Sequence, residues 1–295
     1  MSLHADRTVS YEKYHGTSND FIIIDADEFI PNRYSFATTY CDRTDGAGTD
    51  LDIDEDDHVG ADGVLFLALE EKYSPPRVIM TLVQPDGSTA AMCGNGARCA
   101  AAWAAEQTGA SEVMVDTQAG TRHATVHDDG SVTIEMGVPA FDPRDVPLTH
   151  DGPLIEEELE GFSVTAVNTG VPHAVIFVDD VDDVDLETVG PTLRYADVFP
   201  EGANVTFASP SENGFDQRTY ERGVEGETQS CGTGAVAVVA AAKRLGRLDD
   251  GESVTVSPPG GDLEISVPDD APATLRGPVA HEFAGELGRD PSSEL

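Results

Sequence analysis

Short runs of Val, Ile and Leu, many alternating with polar residues, recur along most of this chain. They predict strands at Phe21–Asp25, Gly63–Leu69, Val78–Val83, Glu112–Val115, Val132–Met136, Ser163–Val167, Ala174–Val178, Asn204–Phe207, Ser253–Val256 and Leu263–Val267. Asp129-Gly130, between two alternating runs, predicts a hairpin, and Pro258-Pro259-Gly260-Gly261 a second turn. Two alanine-rich segments break the alternation. One starts at Cys93, runs through Cys99 and Trp103 to Glu106, and stops near Thr108-Gly109. The other starts at Cys231, runs through Val236 to Leu245, and stops at Gly246. Alanine is the best helix former, and glycine suits the residue just past a helix end. Both segments are apolar on most sides, so each is expected to be a helix buried in its own wrapping of strands. A weaker helical pattern covers Asp185–Tyr195.

The two helix starts repeat one another. Cys93-Gly-Asn-Gly-Ala matches Cys231-Gly-Thr-Gly-Ala at four of five positions, and each helix is followed by a strand, a glycine turn and another strand. Such a period is far too long for a solenoid. A chain of 295 residues also exceeds the usual single-domain size. The expected architecture is α/β (α+β type), with two similar domains of mainly antiparallel strands around a central helix. The first would take residues 1–132 and 277–295, and the second 133–276. A last strand at Val279–Phe283 would return to the first domain.

Composition changes the picture in one respect. There are 55 acidic residues against 17 basic ones, a formal charge of −38, and the only lysines are Lys13, Lys72 and Lys243. A surface of this kind repels nucleic acid and anionic membranes. The carboxylates are interspersed with strand patterns rather than gathered in a tail, which argues against a disordered acidic protein. A salt-adapted surface, that of a halophile with a salty cytoplasm, accounts for them. No apolar run reaches 18 residues and no apolar stretch resembles a leader, so a cytoplasmic chain is expected. The acidic stretch Asp50–His58 invites comparison with a calcium loop. The sixth and twelfth positions counted from Asp50 hold Glu55 and Ala61, however, where such a loop needs Gly and Glu. It reads instead as a solvated insertion.

Four cysteines occur, Cys41, Cys93, Cys99 and Cys231, with no CxxC pair and no zinc spacing. Thiol chemistry is therefore the expected use of any that matter. The first N–H groups of a helix lack internal partners and carry partial positive charge. A cysteine there is biased toward thiolate, and the Gly-x-Gly that follows leaves those N–H groups open to an anion. Two such sites, one per repeat, suit inversion at an α-carbon: one thiolate removes a proton from one face while one thiol delivers a proton to the other. The paired helix starts would hold the α-carboxylate and the charge that develops on it. Cys99, in the middle of an alanine-rich helix, reads as packed and inert, and Cys41 has no assigned role. Gly232-x-Gly234-x-x-Ala237 fits a relaxed dinucleotide fingerprint but lacks the apolar strand before it. None of the three lysines sits in a setting that suggests pyridoxal chemistry.

These motifs together resemble the diaminopimelate epimerase family over nearly the whole chain. The resemblance is carried by His15-Gly-Thr-Ser-Asn19-Asp-Phe21, Gly60-Ala-Asp-Gly63, Asp86 to Arg98 around Cys93, Gly170-Val-Pro-His173, Asn204-Val205, and Tyr220 to Ala235 around Cys231. It implies that Cys93 and Cys231 are the acid–base pair, facing one substrate in a cleft between the domains. It implies that Gly94, Asn95, Gly232 and Thr233 offer N–H groups to the reacting carboxylate. Asn19, Gln84, Asn204, Glu221 and Arg222 would bind substrate, with Arg222 suited to the distal carboxylate. His173 and Glu221 would tune the thiols. No metal or cofactor is implied, and the partner is a small amino acid. A homodimer is compatible with the family. The family often has asparagine where Gln84 and Val171 stand, and Val171 has no side-chain hydrogen bond to offer, so Arg222, Asn204 and backbone groups would carry more of the distal grip. Three rivals are a proline or hydroxyproline racemase, a non-catalytic amino-acid-binding protein on the same fold, and a thiol–disulfide switch using Cys93 and Cys231.

The charge has a measurable consequence. Screening shortens from about 10 Å at about 0.1 M salt to about 3 Å at about 1 M. The thermal unfolding midpoint is expected to rise steeply as KCl is raised over that range. A flat profile would show that surface repulsion does not limit this fold.

Overall fold

The structure is a computed structural model, and it describes residues 8–49, 51, 58–248 and 253–291. The chain divides into two compact units. One contains the residues up to Thr133 together with those from Pro278 onward, and the other is Ile134–Gly277.

The first unit begins with strands β1 (Thr8–Gly16) and β2 (Asn19–Asp25), helix α1 (Arg33–Tyr40), and strands β3 (Gly63–Glu70), β4 (Arg77–Val83) and β5 (Thr89–Ala90). Helix α2 (Gly94–Thr108) follows, then β6 (Glu112–Thr117) and β7 (Gly120–Val126). Strand β8 (Ser131–Gly137) carries the chain across the division between units. The second unit runs through β9 (Glu157–Leu159), β10 (Phe162–Asn168), β11 (Pro172–Phe177), helix α3 (Leu186–Arg194), β12 (Asn204–Ser211), β13 (Gly214–Glu221) and β14 (Gly226–Thr228). Helix α4 (Gly232–Arg244) comes next, then β15 (Ser253–Ser257), β16 (Leu263–Ser266) and β17 (Ala273–Pro278). Strand β18 (Ala280–Gly288) belongs to the first unit again.

The repeat is explicit in the pairing. In the first unit β1 pairs antiparallel with β2, β2 parallel with β3, β3 antiparallel with β4, β4 parallel with β6, and β6 antiparallel with β7. In the second, β10–β11, β11–β12, β12–β13, β13–β15 and β15–β16 follow the same alternation of antiparallel and parallel pairs. In both, a short strand (β5 or β14) folds back on its predecessor just before the central helix. Each unit therefore wraps its sheet around that helix: α2 contacts β1, β2, β3, β4, β6 and β7, and α4 contacts β10, β11, β12, β13 and β16.

Side-chain alternation explains why these strands read as nearly continuous apolar runs. Ile22, Ile24, Val64 and Phe66 join Phe36 and Ala37 of α1 in one core, whereas Phe21 and Leu65 approach Gly96 of α2 on the other face. Strands covered on both faces have no polar side to show. The second unit repeats this. Ala174, Ile176, Val205 and Phe207 pack with Leu186 and Leu193 of α3, leaving His173, Asn204 and Thr206 on the opposite face.

Helix α1 and strands β1 and β13 carry no clear sequence signal. Helix α1 has only Phe36 and Ala37 buried and owes its start to the Asn32 side chain, which accepts from the Tyr34 and Ser35 amides. The Asp129-Gly130 turn forms, with Gly130 at φ 79° and its amide donating to His127 O at 3.0 Å. Asp50 and 52–57 of the acidic insertion lie outside the described residues.

Gly234, in the first turn of α4, tests how closely the wrapping fits. A methyl group there would lie 2.7 Å from Gln217 Nε2 and 3.2 Å from Thr219 Oγ1. Gln217 is 1% exposed, and its amide donates to Thr219 Oγ1 and to the carbonyl of Cys231, so it cannot move without breaking both bonds. Overpacking costs about 1–3 kcal/mol, more than the gain of up to about 1 kcal/mol that alanine brings to a helix. Gly234→Ala is thus expected to lower the urea unfolding midpoint; an unchanged or raised midpoint would show that this contact yields freely.

Candidate active site

Both central helices begin inside the protein, and both begin on a cysteine. Cys93 is the N-cap of α2, in extended conformation at φ −142° and ψ 118°, and its sulfur accepts from the Gly96 amide at 3.4 Å. Cys231 is the N-cap of α4 at φ −116° and ψ 96°, and is 4% exposed. Asn95 and Thr233, each two residues after its cysteine, are also buried. In both places a thiol lies at the positive end of a helix dipole, buried at Cys231 and half-buried at Cys93.

In the first unit, Cys93 has a polar neighbour of fixed kind. Its Sγ donates to Asn19 Oδ1 at 3.7 Å, and the same oxygen accepts from Asn95 Nδ2 at 3.2 Å. Asn19 is brought there by the two-residue turn between β1 and β2, where Gly16 pairs with Asn19. Thr17 and Ser18 form that turn at φ 52° and 57°. Hairpins of this primed type usually place Asn and Gly at the two positions. Using Thr and Ser stores strain of about 1 kcal/mol or more per residue, and the Thr17 hydroxyl then donates to Gly16 O at 2.7 Å. Gln84 sits in the turn after β4, and its Oε1 accepts from Ser88 Oγ at 3.1 Å.

In the second unit, Cys231 Sγ and Thr233 Oγ1 are 3.5 Å apart. The Thr233 hydroxyl also meets His173 Nε2 at 3.0 Å, and His173 Nδ1 meets Thr206 Oγ1 at 3.0 Å. Asn204 Oδ1 accepts from the Arg222 amide at 2.8 Å, which turns its Nδ2 toward His173 Nε2 at 3.5 Å. A donor at Nε2 makes that nitrogen an acceptor, so the proton sits on Nδ1, toward Thr206. The parallel register that pairs His173 with Asn204 builds this arrangement. Thr169 Oγ1 donates to the Thr233 carbonyl at 2.8 Å and anchors the same turn of α4. Glu221 Oε2 accepts from Thr228 Oγ1 at 2.9 Å, and Arg222 Nη1 donates to the carbonyl of Glu201 at 3.2 Å. Val171 offers only its carbonyl, which accepts from the Thr169 amide.

Sequence patterns did not point to Thr17, Thr169, Thr206 or Gln217, nor to a role for Asp62 or Arg98. Asp62 and Arg98 lie inside recognisable motifs, and a buried cation in a chain so poor in cations is the signal that marks Arg98. The other two cysteines are unlike the first pair. Burial pushes the Cys41 thiol up to about 12 and the Cys99 thiol higher still, so neither ionises readily.

The same chain matches the family model described as "Diaminopimelate epimerase" over residues 11–141 and 165–282. This chain belongs to the diaminopimelate epimerase family. A diaminopimelate epimerase of Methanocella arvoryzae is 43% identical over 291 residues, covering 96% of this chain and 98% of its own. Among solved structures, a phenazine biosynthesis protein of the PhzF family from Bacillus anthracis aligns at TM-score 0.66 with 14% identity, over 95% of this chain and 99% of its own. A hydroxyproline epimerase from Agrobacterium vitis aligns at TM-score 0.61 with 19% identity, over 97% and 92%. The mixed α/β fold of this epimerase family member is thus shared with those structures.

Burial, and then the charge of Arg222, push the His173 imidazole down to about 3. In the unfolded chain the same ring takes up a proton near pH 6.5. Between those values the unfolded state binds the extra proton, so stability is lost as pH falls from about 6.5 toward about 3. His173→Gln removes this component. The drop in urea midpoint between about pH 7 and about pH 5 should be smaller in the variant than in the parent, and an equal drop would contradict a buried neutral imidazole.

Proposed function

We propose that this chain interconverts LL- and meso-diaminopimelate by moving one α-proton between Cys93 and Cys231. The observation that carries this reading is the duplicated site itself: one thiol per unit, each at the N-cap position of a buried helix and each beside a side-chain oxygen. The reaction needs what these two settings supply. One cysteine, as thiolate, takes the α-proton, and the C–H electron pair is left on the α-carbon and delocalises into the carboxylate. The other, as thiol, gives its proton to the opposite face of that carbon. Protonation states are exchanged at the end of each turnover, and the reverse reaction restores them. Every turnover therefore uses each cysteine in both forms. The helix start favours the thiolate, whereas Asn19 Oδ1 at Cys93 and the Thr233 hydroxyl at Cys231 can accept from the thiol.

Gly94, Asn95, Gly232 and Thr233 would present N–H groups to the α-carboxylate as charge grows on it. Arg222, with Asn204, Asn19, Gln84 and Glu221, would hold the rest of the substrate, the guanidinium taking the distal carboxylate. His173 would act through Thr233, being buried and neutral. The same reading places the enzyme in lysine biosynthesis in a salt-rich cytoplasm, where counterions screen a charge of −38.

The test is exchange of the α-hydrogen of diaminopimelate with solvent deuterium under reducing, high-salt conditions, with proline as the competing substrate. Epimerisation of diaminopimelate and none of proline is expected. Cys93→Ala and Cys231→Ala should each lower epimerisation by about 1000-fold, the scale of a lost acid–base group. Full activity in both variants would sink the two-thiol mechanism, and turnover of proline alone would sink the substrate assignment.

A further inference from the structure

Asn19 and Asn95 form a short chain of side-chain amides whose two ends are closed by groups of opposite kind. At one end the Arg98 guanidinium, which can only donate, reaches Asn95 Oδ1 at 3.0 Å and Thr17 Oγ1 at 3.1 Å. Asn95 must therefore turn its Nδ2 outward, and it donates to Asn19 Oδ1. At the other end the Asp62 carboxylate, which can only accept when ionised, receives Asn19 Nδ2 at 2.5 Å. The run Arg98 to Asn95 to Asn19 to Asp62 thus has one polarity, and it leaves Asn19 Oδ1 facing Cys93 Sγ.

Both ends are maintained at a cost. Arg98 is fully buried, its Nε has no hydrogen-bond partner, and no carboxylate pairs with it among the described residues. Burial, only partly offset by the neighbouring Cys99 and Cys93, moves it down to about 10. Asp62 is held by Arg43, whose Nη2 reaches Asp62 Oδ1 at 2.5 Å and Asp20 Oδ1 at 2.7 Å; burial and the Asp20 charge raise the Asp62 carboxyl, and Arg43 and the Asn19 amide act against that rise. Burial raises the Asp20 carboxyl, but Arg43 and Lys13 more than offset this and hold it down to about 2. The Lys13 ammonium is itself 0% exposed and lies 2.8 Å from Asp20 Oδ2. A salt-bridge cluster that is buried at Lys13 and Asp20 and open at Arg43 and Asp62 contributes little net stability in general, which turns attention to what it positions.

We propose that Asp62 and Arg98 are positioning residues that fix the direction of the Asn95–Asn19 amide chain, so that Asn19 presents an acceptor oxygen, and not its NH2 group, to the Cys93 thiol. This rests on Cys93 being one of the two reacting thiols. It assigns the Gly60-Ala-Asp-Gly63 motif a task at the site: Asp62 orders Asn19, and Arg43 orders Asp62. An acceptor facing the thiol favours the protonated form and opposes the pull of the helix start and of the Arg98 charge. Cys93 is thereby kept able to serve as the acid.

The test reads Cys93 directly and needs no turnover, so it stands apart from whether the chain is an epimerase. In a Cys231→Ser background, the pH dependence of iodoacetamide labelling at Cys93 is followed by peptide mass spectrometry. Asn19→Ala removes the acceptor, and the midpoint of the labelling profile should fall by about one pH unit. A midpoint that rises or stays put overturns the proposed polarity. Asp62→Asn should also lower the midpoint, because Arg43 takes the oxygen of the new amide and leaves its NH2 group against Asn19 Nδ2, so that Asn19 no longer holds its oxygen steadily on the sulfur. In the Asn19→Ala background it should have only the small residual effect of a lost charge. An equal effect of Asp62→Asn in both backgrounds, or a lowered unfolding temperature with an unmoved labelling profile, would show a merely electrostatic or structural role and overturn the assignment. Should Asp62→Asn fail to fold, Asp62→Ser takes its place in the same cycle.

Discussion

A helix normally starts at the surface, where water satisfies its first amides. Helices α2 and α4 start indoors, and most of what is unusual in this chain follows from that constraint. Their free N–H groups face the site, a cysteine stands at each N-cap, and at α2 its sulfur accepts one of them. The turn behind the cap must be narrow enough for strands to close over it, so Gly96 and Gly234 stand where side chains would collide with Leu65 and Gln217. Strands that close over a helix on one face and carry a second layer on the other must be apolar throughout. Within each unit, many of the polar residues that remain inside gather around its own helix start.

Much of this was legible because helix starts are local. A Cys-Gly-x-Gly-Ala segment leading into alanines announces a cap, a close approach and a buried helix within a dozen residues, and its recurrence announces the duplication. The parallel pairs β2–β3 and β11–β12 were legible only as apolar runs, because their partners are set by crossovers rather than by turns. Helix α1 was not legible at all: Arg33–Tyr40 has only two buried side chains, the adjacent Phe36 and Ala37, among mostly polar neighbours, and its packing against Phe66 comes from the sheet. Strand β13 hid for a related reason. Its inward positions include Gln217 and Thr219, which are polar because they serve the start of α4, and its outward Arg218 is paired with Glu227.

The hydrogen-bonding around each thiol could not be read from the chain for a deeper reason. Thr17 and Arg98 are 81 residues apart, Asn19 and Cys93 74, and His173 and Thr233 60. No spacing rule links them. Composition helps only in hindsight. A chain with 17 cations and 55 carboxylates has little reason to bury Lys13 and Arg98 completely unless the interior asks for positive charge. In both positions it does, beside Asp20 in one case and beside the Asn95 amide in the other.

The strained turn at Thr17-Ser18 limits which substitutions the site can absorb. A hairpin of this kind would be steadier with Asn and Gly at its tip, and random substitution reaches those residues easily. Gaining them would cost the hydroxyl that Arg98 grips and loosen the first residue of β2. A substitution at any one of positions 17, 19, 62, 95 and 98 therefore disturbs the hydrogen-bond partners of the others. The exposed carboxylates that give the chain its charge of −38 lie outside this network, so surface charge and site geometry can be altered separately.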